Sequence, residues 1–426
     1  MKRFYIHTFG CKTNQIETNL ITEQLLASGY EVVSHVKDAD IFIVNSCTVT
    51  SKTDDDVLRL IRTTKRKYPS LRVILTGCFA QLQSDVLSRN KDIDLVLGNS
   101  EKLNFTKYLD LNNKVNVADI FTQKEFIYKK IDNPTKTRAS LKIQDGCNNR
   151  CTYCAIWKAR GNSRSAIPQD IVEQLNKYIE HGFKEVVVTG IHIGQWGGDL
   201  TPKLGFTDFI DILENSGISR YRLGSLNPHE LTSELIDKLA SSDKFCPHFH
   251  LSLQSCCNKT LKNMNRSYTE DEILSLIDNI NSKFNLPFIG SDIIVGFPDE
   301  TDEDFNITLE NIKKSGLTMA HVFPYSIREN TVAARMKNQI SHNIKLERKH
   351  LLQEVVNQKY LEFLNNNNGM IHSVLFEKHK AKNGLYKGLT PNYITVYSDF
   401  NENICNKIKN CKLSINPDMT VFCNLL

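Results

Sequence analysis

Along the first hundred positions, short apolar runs alternate with longer stretches of helical periodicity. RFYIHT (3–8), ADIFIVNS (39–46), RVILTG (72–77) and DLVLG (94–98) read as strands. NQIETNLITEQLLASG (14–29), ending at Gly29, and a polar segment over 51–67 read as helices. This alternation predicts an open, mostly parallel sheet. A connecting stretch, 99–137, closes on DNPTKTR, and the alternation then resumes. ASLKIQ (139–144), KEVVVTG (184–190), RYRLGS (220–225), HFHLSLQ (248–254), FIGSDIIVG (288–296) and TMAHVFPY (318–325) are six strands separated by helical segments. That is the pattern of a barrel or partial barrel whose working face lies at the strand C-termini. A helix over 343–364 leads to the Asn tetrad 365–368, read as a short linker. The runs SVLFE, YITVY and TVFCNLL after it suggest a compact all-β module. The expected fold class is therefore α/β, with an N-terminal sheet unit over 1–115, a barrel unit over 133–364 and a β module over 365–426.

The 426 residues contain no apolar run long enough to span a membrane, so no membrane partner is expected. MKRFYIHTFGCK has too short an apolar stretch for a signal-peptide core, which predicts a cytoplasmic protein. The net charge of +5 permits a nucleic-acid partner without requiring one. Within 370–426, seven lysines face four acidic residues, and Arg62 to Lys67 form a second basic run; phosphate contacts and a solvated face explain each run equally well.

Cysteine changes the picture more. Twelve are present, and in a reducing compartment tight groups of thiols point to metal or redox chemistry rather than to disulfides. Cys11, Cys47 and Cys78 each follow the C-terminal end of a predicted strand by one to three residues. In a doubly wound sheet those ends share one edge, so thiols distant in sequence can converge there. Cys147, Cys151 and Cys154 form a C-x3-C-x2-C loop after the first barrel strand. Three thiolates on one loop can wrap a four-iron cluster and leave one iron without a protein ligand, as a catalytic metal requires. Cys246, Cys405, Cys411 and Cys423 have no ligand spacing, and the adjacent pair Cys256-Cys257 reads as small buried thiols.

QDGCNNRCTYCAIWKARGNSRS, with the aromatic Tyr153 before the last cysteine, resembles the signature of radical S-adenosylmethionine (SAM) enzymes. TFGCKTNQIET, VNSCTVT and LTGCFAQ resemble the N-terminal ligand motifs of methylthiotransferases, a family within that group. TGIHIGQWGGDL, RLGSLNPHEL, HFHLSLQS, LKNMNRSY, DIIVGFPDET and FPYSIRENTVAARM resemble the barrel motifs of the same family in order, and the tail resembles its RNA-binding TRAM barrel. The resemblance implies two 4Fe-4S clusters, one on Cys147, Cys151 and Cys154 and an auxiliary one on Cys11, Cys47 and Cys78. It also implies SAM bound at the open iron and cleaved to a 5′-deoxyadenosyl radical, an electron donor of flavodoxin or ferredoxin type, and a tRNA partner. SAM contacts are carried over to Tyr153, Thr189, Gly190, Ser225, Gln254 and Gly296; a tight turn explains the two glycines as well, a turn hydroxyl Ser225, and a hydrogen-bonded interior amide Gln254.

CKTNQ, CTVT and YS-x-R-x-x-T look most like the branch that methylthiolates C2 of N6-threonylcarbamoyladenosine next to the anticodon. The isopentenyladenosine branch, the branch acting on a ribosomal-protein aspartate, and a non-catalytic iron-sulfur or RNA-binding protein are the alternatives. The chain departs from the family pattern at Cys256-Cys257, where Gly-Ser is usual, at Trp157-Lys158, where Pro-Tyr is usual, and at Glu329-Asn330, where a glycine is common. The extra Cβ atoms at 256 and 257 are expected to crowd whatever approaches the backbone there.

Overall fold

The computed structural model describes residues 2–131 and 136–426, so the expected boundary at 133 and the start of DNPTKTR lie outside the described residues. Six strands, β1 (Arg3–Thr8), β2 (Glu31–Val32), β3 (Ile41–Ser46), β4 (Arg72–Gly77), β5 (Leu95–Leu97) and β6 (Val115–Asn116), form one sheet in the order β2-β1-β3-β4-β5-β6. Every adjacent pair is parallel. β3 is buried along its whole length, as a central strand covered on both faces must be. Of the helices, α1 (Lys12–Ala27) starts two residues before the expected position 14, with Cys11 at the N-cap. α2 (Ser51–Lys67) is capped by the Thr50 hydroxyl, which accepts from the Thr53 N–H, and it buries Val57, Ile61 and Thr64 on one face. The edge strands β2 and β6 are two residues long, too short to leave a periodic pattern.

The central unit contains β7 (Ala139–Lys142), β8 (Gln144–Asp145), β9 (Arg164–Ser165), β10 (Glu185–Thr189), β11 (Arg220–Arg222), β12 (Ser225–Leu226), β13 (His248–Gln254), β14 (Phe288–Val295) and β15 (Met319–Pro324). The third barrel strand, expected to be continuous over 220–225, is broken at Leu223-Gly224. Gly224 lies so close to β10 that a Cβ there would be 2.9 Å from the Val188 carbonyl oxygen. The barrel wall is consequently two parallel sheets, β11-β10-β7 and β12-β13-β14-β15. β8 and β9 pair antiparallel and close the base of the loop that carries Cys147, Cys151 and Cys154.

In the C-terminal unit, β16 (Ile371–Phe376), β17 (Tyr386–Leu389), β18 (Thr395–Ser398), β19 (Ile408–Ile415) and β20 (Val421–Leu425) close into a barrel. β19 buries only Cys411 and Leu413, so its apolar pattern is faint in the sequence. The Asn tetrad is not a linker: the helix His342–Asn367 runs through its first three members. Asn367 is fully buried; its amide donates to the Phe363 carbonyl at 2.8 Å, and its Oδ1 accepts from the Asn392 amide at 2.8 Å. Arg220 and Arg222 fasten this barrel to the N-terminal end of the central sheet, donating to the Ser373, Leu389, Thr390 and Pro391 carbonyls. The two guanidiniums and Arg138 outweigh burial and hold the Glu185 carboxyl below its usual range.

Candidate functional site

The loop with the local thiol triplet is shaped before its first cysteine. Gly146 has φ +74, and a Cβ there would collide with the Asn162 carbonyl, so the turn admits only glycine. The Cys147 N–H donates to the Gly161 carbonyl at 3.0 Å, and the Thr152 hydroxyl donates to the Asn263 carbonyl at 2.8 Å. All three cysteines line one cavity of about 410 Å³. Each sulfur has a partner of its own: His192 Nδ1 lies 3.5 Å from Cys147, Arg266 donates to Cys151 at 3.1 Å, and the Ile156 N–H donates to Cys154 at 3.4 Å. Burial disfavours a charged His192, but its bonds to Cys147 and to the Glu230 carboxylate prevail and raise its pKa to about 9. Burial, together with the Cys151 sulfur, pushes the Cys154 thiol up to about 12. At neutral pH such a thiol gives up its proton to a metal rather than to water.

The second triplet is assembled by topology. β1, β3 and β4 are neighbours in the sheet, and Cys11, Cys47 and Cys78 follow their C-terminal ends. Gly77 has φ +101 and lies against the Ser46 backbone, where a side chain would collide. The Asn14 amide donates to the Phe9 carbonyl at 2.9 Å and to the Ser46 carbonyl at 3.0 Å, tying the loops behind the cysteines together. Burial and the neighbouring Cys78 and Cys11 sulfurs push the Cys47 thiol up to about 12.

Behind Cys78 lies a charge cluster that joins the two units. Arg160 is 1% exposed, donates from Nε to the Cys78 sulfur at 3.2 Å and pairs with Glu17. Glu17 also pairs with Lys102 and, at 3.0 Å, with Lys142, which reaches Asp145 at 2.7 Å. Burial alone would raise the Glu17 carboxyl, but Arg160, Lys102 and Lys142 outweigh it and hold it well below the usual carboxylate range. Three cations against two carboxylates leave one positive charge uncompensated beside Cys78. A buried charge of that kind requires an anion, and a thiolate-held cluster supplies one. The donor set and its surroundings therefore fit iron-sulfur clusters at both triplets.

The cavity that the barrel triplet lines also reaches the segment after Cys47, although none of Cys11, Cys47 and Cys78 lines it. Thr48, Val49 and Thr50, which follow Cys47, line it together with the barrel cysteines. Arg328 pins that segment, donating to Asp54 at 2.7 Å and to the Thr48 hydroxyl, and the Ser51 N–H donates to Ser326 Oγ at 3.2 Å. Arg328 Nε and Asp54 Oδ1 are buried without partners among the described residues.

Of the remaining residues singled out from sequence, Tyr153, Ser225 and Gln254 line the cavity. Gln254 has φ +69, a left-handed conformation that costs a non-glycine residue about 1 kcal/mol, at a break in the β13–β14 register. Thr189, Gly190 and Gly296 are outside the lining. Thr189 is buried; the Gly190 carbonyl accepts from Thr13 at 3.5 Å; Gly296, with φ +69, lies against Lys345, and its N–H donates to Glu300 at 2.5 Å. The expected crowding at Cys256 and Cys257 is not found. Neither lines the cavity, and they pack against the helix Asp302–Lys314, where Cys257 is 3.8 Å from Asp304. Asn330 has φ +65, which explains why a glycine suits that place and why Asn serves. Trp157 carries the Arg150 guanidinium over its ring at 4.3 Å.

The barrel's sequence matches the model of the Radical SAM superfamily over residues 141–312, and residues 3–98 match that of the Uncharacterized protein family UPF0004. A threonylcarbamoyladenosine tRNA methylthiotransferase, MtaB, of Aquifex aeolicus is 37% identical over 91% of this chain and 95% of its own length. The MtaB of Bacillus subtilis is 34% identical over 96% of this chain and 92% of its own. The chain belongs to the radical SAM tRNA methylthiotransferases. A tRNA-2-methylthio-N(6)-dimethylallyladenosine synthase of Clostridium beijerinckii, 32% identical over 97% of this chain and 93% of its own, represents a second branch of these methylthiotransferases. Among solved structures, the radical SAM methyltransferase TsrM of Kitasatospora setae shares the fold, with a TM-score of 0.57 at 13% identity over 78% of this chain and 77% of its own.

Sequence reasoning set Arg328 in the YS-x-R-x-x-T motif and quoted the stretches that contain Arg160, His192, Glu230 and Arg266 without singling those four residues out. Arg160 ends the short helix Ile156–Arg160 and Arg266 follows the short helix Asn258–Asn263, in polar stretches whose pattern marks neither residue.

Proposed function

We propose that this protein methylthiolates C2 of N6-threonylcarbamoyladenosine at tRNA position 37, beside the anticodon. The observation that carries this reading is the shared cavity, lined by the thiols of the barrel loop and by the segment that follows Cys47. Cys147, Cys151 and Cys154 would hold the cluster that engages SAM, and Cys11, Cys47 and Cys78 the auxiliary cluster. When bound, these groups supply the radical chemistry and the sulfur that no side chain can provide at an unactivated carbon.

The chain's own residues do the rest. His192, Arg266 and the Ile156 N–H donate to the three barrel sulfurs, which spreads their negative charge and favours the reduced state. Glu230 holds the His192 ring from its far side. Arg160 and its partners neutralise charge at Cys78. Arg328 keeps the loop after Cys47 against the barrel, so that this segment and the barrel thiols border one space. The threonylcarbamoyl branch is favoured by the CKTNQ and CTVT motifs and by the MtaB relatives. An electron donor of flavodoxin or ferredoxin type and a cytoplasmic setting complete the reading; among the described residues, no helix is long and apolar enough to cross a membrane.

The test is to load the purified protein with iron and sulfide and incubate it with SAM, a reductant and tRNA carrying either threonylcarbamoyladenosine or isopentenyladenosine. Nucleoside mass analysis should show the methylthio gain on the threonylcarbamoyl nucleoside. A gain confined to the isopentenyl nucleoside, or none on either, would reject the proposal.

A further inference from the structure

The partial barrel carries a group of side chains that neither triplet uses. β13, β14 and β15 are adjacent and parallel, and Asp292 on β14 pairs in register with His321 on β15. One ligand atom each from His250, Asp292 and His321 lie within 4.8 Å of one another. His250 Nε2 and Asp292 Oδ1 are 3.6 Å apart. That is too long for a hydrogen bond. It is close to the roughly 3.4 Å edge of a tetrahedron built on metal bonds of about 2.0–2.1 Å. The other nitrogen of His250, Nδ1, lies 2.8 Å from Ser225 Oγ, the kind of outer partner that fixes the tautomer and ring plane of a ligating imidazole. His321 is exposed, and its ring has no hydrogen-bond partner among the described residues.

We propose that His250, Asp292 and His321 bind one divalent transition-metal ion of the zinc type, separate from the iron of the two triplets. Two imidazoles and one carboxylate form a nitrogen and oxygen donor set of borderline softness, which suits zinc over calcium or magnesium. Three protein ligands leave a fourth position for water or for an oxygen atom of a bound molecule. Asp292 and Ser225 line the thiol cavity, whereas His250 and His321 do not, so an ion held here borders that cavity through Asp292. His250 and Asp292 are also within ion-pair range of each other, and zinc binding decides between that pairing and a shared metal.

The test uses the cluster-loaded full chain, equilibrated anaerobically with zinc chloride and freed of unbound metal. Zinc, iron and sulfide per chain are then measured by elemental analysis. The wild-type protein should retain about one zinc per chain with iron and sulfide unchanged. His321→Ala, at an exposed position where loss of the ring spares the core, and the near-isosteric Asp292→Asn should each lower zinc affinity about tenfold or more with iron and sulfide unchanged. Absence of retained zinc, equal retention in both variants, or zinc gained only as iron is lost would overturn the proposal.

Discussion

The two thiol triplets solve the same chemical problem by different means. Cys147, Cys151 and Cys154 come from one loop, closed at its base by the β8–β9 pair, and each sulfur has a partner of its own. Cys11, Cys47 and Cys78 are spread over 68 positions of sequence and are gathered by three neighbouring parallel strands. Their charge is met from behind, by the buried group around Arg160 and Glu17. The local triplet is thus set by turn chemistry, and the distant one by sheet topology and by a charge cluster that bridges two units. A fault far from its sulfurs should therefore disturb the second triplet more than the first.

The largest effect should come from removing single thiols. Cys151→Ala should abolish SAM cleavage, measured as 5′-deoxyadenosine release, and Cys47→Ala should leave cleavage largely intact while sulfur insertion stops. Equal loss of cleavage in both would remove the division of labour between the triplets. Next in size, Glu17→Ala strands Arg160, Lys102 and Lys142 without their shared carboxylate and should destabilise the fold by about 3–5 kcal/mol in denaturant unfolding. Because the folded state depresses the Glu17 pKa, its contribution is full above the ordinary carboxylate range and disappears as pH falls through the lower folded value. The wild type should lose stability in acid more steeply than Glu17→Ala, and parallel pH profiles would contradict the assignment. Smaller still, Arg328→Ala releases Asp54 and Thr48 and should cost about 1–3 kcal/mol. It should slow sulfur insertion more than SAM cleavage, since it frees the Cys47 loop and touches no barrel thiol.

The same contrast explains what the sequence could disclose. The C-x3-C-x2-C loop and the strands 3–8 and 72–77 are local patterns, and the strands occupy the residues their apolar runs predict. Placing Cys11, Cys47 and Cys78 at strand ends was also legible, because a parallel sheet brings those ends to one edge. Glu17 was not. In IETNLITEQLL it reads as a solvated helix position, and only Arg160 and Lys102, 143 and 85 residues away, make it an interior ion. The break at Leu223-Gly224 depends on close approach to Val188, and the helical Asn365–Asn367 depends on a buried amide network with Asn392 and His372. Such pairings across the chain leave no periodic trace. Gly190 and Gly296 lie at strand ends as read, yet close packing against Gln144 and Lys345 accounts for both.

The central claim is that each triplet holds its own cluster. Iron and sulfide per chain, measured on anaerobically reconstituted protein, test it most directly. Two clusters predict about eight iron atoms in the wild type, and about four both when Cys11, Cys47 and Cys78 are replaced by Ala and when Cys147, Cys151 and Cys154 are. About four in the wild type, or loss of all iron from either triple variant, would contradict it.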